Sequence, residues 1–213
     1  MALLKTSPNG DMPSAPVAAP RPAALLLATL HAGATAAERR EAALELAAAP
    51  DAARDLSAAL GQETELSVRE AIVTTLVVIS TEEAASGLAD FLMSDDPHLR
   101  NLAIEALREI GPVAGSQIER LLASSYPDVR IFAVNVLDAF FYRRAQDRER
   151  LHTLLQRDPD VNVGLAAVEA LSQAGGPEDI PALRAFAARF PEHPFVGFAV
   201  DMVCLRVMPG DAR

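Results

Sequence analysis

Apolar positions in this chain recur with a helical spacing inside short phrases, and the phrases recur along the chain. RREAALELA from Arg39, VREAIVTTL from Val68, LRNLAIEAL from Leu99, VRIFAVNVL from Val129, VGLAAVEAL from Val163 and FVGFAVDMV from Phe195 start 29, 31, 30, 34 and 32 residues apart. Self-similarity at such a period is the mark of a stacked array of supersecondary units. With the first residue of each phrase as position 0, position 4 is small or branched and position 5 aliphatic. Position 8 reads Ala47, Leu76, Leu107, Leu137, Leu171, Val203. At about 100° per residue these positions cover more than one side of a helix, as a helix sandwiched between neighbours requires.

A second, shorter helical pattern lies between consecutive phrases: AARDLSAALGQ, EEAASGLADFLMS, AGSQIERLLASS, RERLHTLLQR and EDIPALRAFAARF, with AALLLATLHA supplying the first. Each unit therefore reads as a helical hairpin, and six hairpins are expected. Asp95-Asp96-Pro97, Tyr126-Pro127-Asp128, Asp158-Pro159-Asp160 and His193-Pro194 stand where a helix starts, with the cap-then-proline order that first-turn geometry favours. Gly111, Gly175 and Gly176 stand where left-handed C-caps are expected. Unit four lacks such a glycine, and its helix is expected to run on through Phe140 to Arg144, with Phe140 in the core.

The chain has 213 residues, of which 50% are hydrophobic but only 5% aromatic, with no Trp. That is enough to bury a core, and Ala, Leu and Val favour closely packed helices over a sheet. The fold expected is all-α. A net charge of −10 opposes phosphate backbones and anionic headgroups, so neither nucleic acid nor membrane is an expected partner. The single cysteine, Cys204, rules out an internal disulfide and a thiolate metal cluster. Around Ala23–Ala36 an apolar run meets small residues, but the stretch before it is rich in proline and carries only Lys5 and Arg21 against Asp11. This is a poor leader, so a cytoplasmic location is expected.

The D-P-x-x-V-R turn followed by A-x-x-A-L, carried best by DPHLRNLAIEAL and YPDVRIFAVNVL, resembles HEAT repeats of the short, phycobilisome-lyase type. The resemblance spans about 22–208, which leaves residues 1–21 as a disordered Pro/Ala-rich tail and 209–213 as a C-terminal tail. It implies a right-handed α-α superhelix, or solenoid, with the second helices on a concave face. It also implies that the position-1 arginines Arg40, Arg69, Arg100 and Arg130 form a structural ladder with turn carboxylates of adjoining units, for which Asp96, Asp128 and Glu65 are suited. Gly164 and Val196 break that ladder in units five and six.

No catalytic constellation is legible. His31, His98, His152 and His193 include no pair at i, i+3 or i+4. His98 and His193, three units apart at ~10 Å per packed layer, are too distant to share a metal. Cys204 reads as an apolar filler, and the carboxylate pairs read as helix caps. Neither an enzyme activity nor a cofactor is expected.

Positions 2, 6, 9 and 13 face away from the packed layers. Position 6 reads Glu45, Thr74, Glu105, Asn135, Glu169, Asp201, a column with four acids that suits a basic or amide-rich partner or is simply solvated. Position 2 turns aliphatic at Ile131 and Leu165, and Tyr142 shares that stripe. Ile131, Tyr142 and Leu165, rimmed by Glu105, Glu169 and Asp201, are the candidate partner-binding site. The competing reading has the charged loop after Arg144 folded over them. Three functions follow: a non-catalytic scaffold or adaptor for a protein partner, a chromophore-attachment factor of the bilin type, and a HEAT-like DNA glycosylase, which the acidic column disfavours. The partner's identity and the oligomeric state are not readable.

Overall fold

The computed structural model describes residues 20–137 and 145–208. They form six helical hairpins: α1 (Ala23–Ala32) with α2 (Ala36–Glu45), α3 (Ala53–Gln62) with α4 (Leu66–Ile79), α5 (Glu82–Asp90) with α6 (Pro97–Ile110), α7 (Gly115–Leu122) with α8 (Pro127–Val136), α9 (Ala145–Arg157) with α10 (Val161–Ala174), and α11 (Ile180–Arg189) with α12 (Pro194–Val207). The second helices pack in chain order, α2 on α4, α4 on α6, α6 on α8, α8 on α10 and α10 on α12. The fold is an all-α helical-repeat solenoid. The run-on expected after unit four, including Phe140 and Tyr142, lies outside the described residues.

Local chemistry explains the hairpin boundaries. Asp96 caps α6 by accepting from the His98 N–H at 2.9 Å, and Pro97 takes the first turn, where no N–H is needed. Asp160 caps α10 through the Asn162 N–H, with Pro159 just outside the helix. Thr35 and Glu38 close a reciprocal capping box on α2. Of the glycines expected at left-handed C-caps, only Gly111 has positive φ, at 69°. Gly175 and Gly176 are extended, and Ser80 takes the left-handed position after α4 at 49°.

Burial corrects the repeat register by one residue at both ends. In unit one Ala42, Ala43 and Leu46 are buried where unit two buries Ile72, Val73 and Leu76, so position 0 is Glu38 rather than Arg39. In unit six Val196, Val200 and Cys204 are buried, so position 0 is Val196 rather than Phe195, which is 60% exposed. Leu46 then joins the column of Leu76 and Leu107, and Gly197 stands level with Gly164.

The ladder changes accordingly. Arg39, not Arg40, occupies the first rung: it donates to Glu63 Oε2 at 2.8 Å and to the Gly33 carbonyl, while Arg40 is exposed. Arg69 bonds Asp96 at 2.9 Å and the Glu63 carbonyl at 2.5 Å. Arg130 makes two bonds to Asp158, at 2.7 and 2.8 Å, and one to the Ser124 carbonyl. Each of these arginines thus ties its own inter-helix turn to the turn of the next unit. Arg100 keeps the carbonyl bond, to Ser94, but lies 5.6 Å from the Phe132 ring centroid of unit four in place of a carboxylate. Of the carboxylates expected as partners Asp96 serves, while Glu63 and Asp158 replace Glu65 and Asp128. In unit five position 1 is Gly164, and the Phe186 ring of α11 fills the space. There Arg189 reaches back to the carbonyls of Leu155 and Asp158.

The Arg39 guanidinium, helped by the N–H groups of Glu65 and Thr64, lowers the Glu63 carboxyl from 4.5 to about 2. A carboxyl depressed in the folded state stabilises it above the unfolded value and loses that contribution as pH falls from about 4.5 towards 2. The unfolding free energy read from urea curves across that window should fall for the wild type by on the order of 2 kcal/mol more than for Glu63→Gln. Parallel curves would show that the rung adds nothing to stability.

Candidate functional site on the second-helix face

The corrected register redraws the outward columns. Position 6 now reads Leu44, Thr74, Glu105, Asn135, Glu169, Met202, so two of the four expected acids leave it. Glu45 instead pairs with Arg21 at 2.8 Å, and Asp201 with Arg184 of α11. Met202 takes the place assigned to Asp201 and is 52% exposed. Position 2 ends in Ile131, Leu165 and Phe198 on three adjoining layers, the last 62% exposed. The face is therefore polar in its N-terminal half, at Glu70, Thr74, Asn101 and Glu105, and apolar in its C-terminal half.

That apolar half forms a groove of about 660 Å³ between α8, α10 and α12. Ile131 and Leu165 line it, packed partly against the core, and Phe195, Ala199 and Met202 are among the other side chains of its apolar wall. Polar groups enter at Asn135, Asn162, Glu169, Ser172 and Arg206. Of the candidate partner-binding residues, the structure thus brings Ile131, Leu165 and Glu169 together. Glu105 stands one layer away, its carboxylate held by Arg108, which also bonds the Asn135 carbonyl. Asp201 lies on the far side of α12 from the groove, and Tyr142 is outside the described residues. Phe195 and Met202 were missed because the one-residue slip assigned them to the core and to the neighbouring layer. The sequence carried no clear signal of the slip, since Val203 suits a position-8 column of leucines as well as Cys204 does.

Elsewhere the polar clusters are structural. His152 Nε2 lies 2.7 Å from Asp179 Oδ1, but Asp179 is fully buried, and its other oxygen accepts from the Gly176 N–H at the start of the last unit. Cys204 is buried. Among the described residues no group of three or more His, Cys, Asp or Glu could hold a metal ion, and no helix is long and apolar enough to cross a membrane.

Residues 117–193 match the family of HEAT repeats. Among solved structures, the chain resembles an engineered protein at 16% identity over 87% of this chain and 96% of that one, with a TM-score of 0.40. It also resembles the complex of CpcE and CpcF of phycocyanin lyase from Nostoc sp. PCC7120, at 16% identity over 97% and 100% of the two chains and a TM-score of 0.37. No curated protein matches the chain.

Proposed function

From the premise that residues 117–193 are HEAT repeats within a six-hairpin solenoid, we propose that the chain is a non-catalytic scaffold that holds a segment of a partner protein against its second helices. The observation that supports this is the groove formed by Ile131, Leu165, Phe195 and Met202, an apolar channel on a rigid face with Glu169 and Arg206 at its edges. Stacked units create an extended surface without needing a reactive centre. An apolar anchor seated between two layers, fixed in register by rim hydrogen bonds to Asn135 or Asn162, is the mode such a groove suits.

The test is capture from the native cell on immobilised chain, with Ile131→Asp/Leu165→Asp beside the wild type. Loss of about 2 kcal/mol or more of binding, at least tenfold, is expected at so central a position. Undiminished capture by a variant of unchanged helicity would remove the groove from consideration. The groove volume also lies in the small-molecule range, which keeps chromophore attachment as a second reading. That reading requires a spectral change on mixing with a bilin, and a flat titration ends it.

A further inference from the structure

The outer side of α12 carries Phe198, Met202, Leu205 and Met208, which are 62, 52, 68 and 48% exposed. Phe198, Met202 and Leu205 follow one another at spacings of four and three, the seam of a helix that packs against another helix. No described residue covers this seam. Beside the seam, the space at Gly197 is open, whereas at Gly164, the same position one unit earlier, an added Cβ would lie 2.1 Å from the Phe186 ring. The surface that Phe186 closes in unit five is unfilled in unit six.

We propose that this face of α12 docks on the same face of a second copy of the chain, the two helices running antiparallel about a two-fold axis. Phe198 then meets the neighbouring Leu205, and Met202 meets its own counterpart, so one stripe serves both sides. The four side chains expose roughly 400 Å² per copy, taking roughly 150–200 Å² for a side chain of this size. With a polar rim in the usual proportion, two copies would bury roughly 1,300 Å², near the lower end of specific interfaces.

The area and the self-complementary order of the stripe fit a second copy, and charge selects this end for the contact. Each chain carries −10, so two copies repel over most of their surfaces. On this face the one acid, Asp201, is already paired with Arg184, and Arg206 lies on the same helix. The first hairpin exposes Leu25 and Leu44, but beside them it carries ion pairs that disfavour a head-to-tail row. Arg21 pairs there with Glu41 and Glu45, and an apolar stripe would strip water from those ions.

Sedimentation equilibrium of the full chain from about 1 to 200 µM tests this, a range that covers the weak association typical of interfaces near the lower size limit. A monomer–dimer equilibrium is expected for the wild type, with Phe198→Glu/Leu205→Glu monomeric throughout and Val78→Glu, on an exposed apolar residue elsewhere, still dimeric. Leu205→Lys alone should weaken the dimer at least tenfold and serves if the double variant loses helicity. The groove variants Ile131→Asp and Leu165→Asp should dimerise as the wild type does, so this proposal and the scaffold reading fail separately. A wild type that stays monomeric, a dimer that survives the α12 substitutions, or association that grows beyond two copies overturns it.

Discussion

Asp158→Ala should destabilise the solenoid by about 3–5 kcal/mol, read as a lower urea midpoint at unchanged m-value. Its carboxylate and the Arg130 guanidinium are 4 and 9% exposed and joined by two hydrogen bonds, so the substitution leaves a cation buried with only the Ser124 carbonyl opposite it. That cation has no neutral form to retreat to, because a guanidinium stays protonated in a protein even without a carboxylate beside it. Replacing both partners, as Arg130→Met with Asp158→Leu, should restore most of the loss, since no charge is then stranded. The exposed pair Arg184–Asp201, at 51 and 59%, is the control, and its removal should cost less than ~1 kcal/mol. A similarly small cost at Asp158 would show that water reaches the inner pair.

The second large effect lies at the junction of units five and six. Phe186 is fully buried, packed edge-on against Phe190 and close against Gly164, where an added Cβ would meet its ring at 2.1 Å. Phe186→Ala should cost about 3–5 kcal/mol through the void it leaves. Gly164→Ala should cost about 1–3 kcal/mol despite alanine's better helix propensity, because the new methyl clashes with the ring. Gly197→Ala, with open space around it, should instead stabilise the protein by a few tenths to ~1 kcal/mol. In the double variant Gly164→Ala/Phe186→Ala the added methyl occupies part of the vacated volume, so the two losses should sum to less than their separate values by about 1 kcal/mol or more. Strict additivity in that cycle would mean that the two residues do not share the space.

The hairpins were legible because stacking forces each second helix to repeat the same sandwich of apolar positions, which gives a period that does not depend on any one residue. The register was harder, since a one-residue slip on a mostly apolar helix changes few apolar matches. At Arg39-Arg40 either arginine fits the turn motif, and only Leu46 against Ala47 at position 8 separates them. At Phe195-Val196 two apolar residues compete in the same way, and the glycine expected to break the ladder hid the match between Gly197 and Gly164. The slip carried Glu45 and Asp201 into a column they do not occupy and made the face look more acidic than it is. The case drawn from that column against nucleic acid now rests on net charge alone. Ile131 and Leu165 were found because they repeat one position on adjoining layers, a signal that survives within the well-registered middle units.

The junctions also differ in what holds them. Units one and two, two and three, and four and five are pinned through carboxylates, Glu63, Asp96 and Asp158, whereas units five and six, besides the contacts of His152 with Asp179 and of Arg148 with Glu178, are pinned by Arg189 on two peptide oxygens and by an aromatic plug. A peptide oxygen takes up no proton in mild acid. Acidification therefore loosens every junction that a carboxylate holds, but the last one keeps Arg189 and the Phe186 plug as clasps that a proton does not open, which gives a row of near-identical repeats a direction in which to come apart.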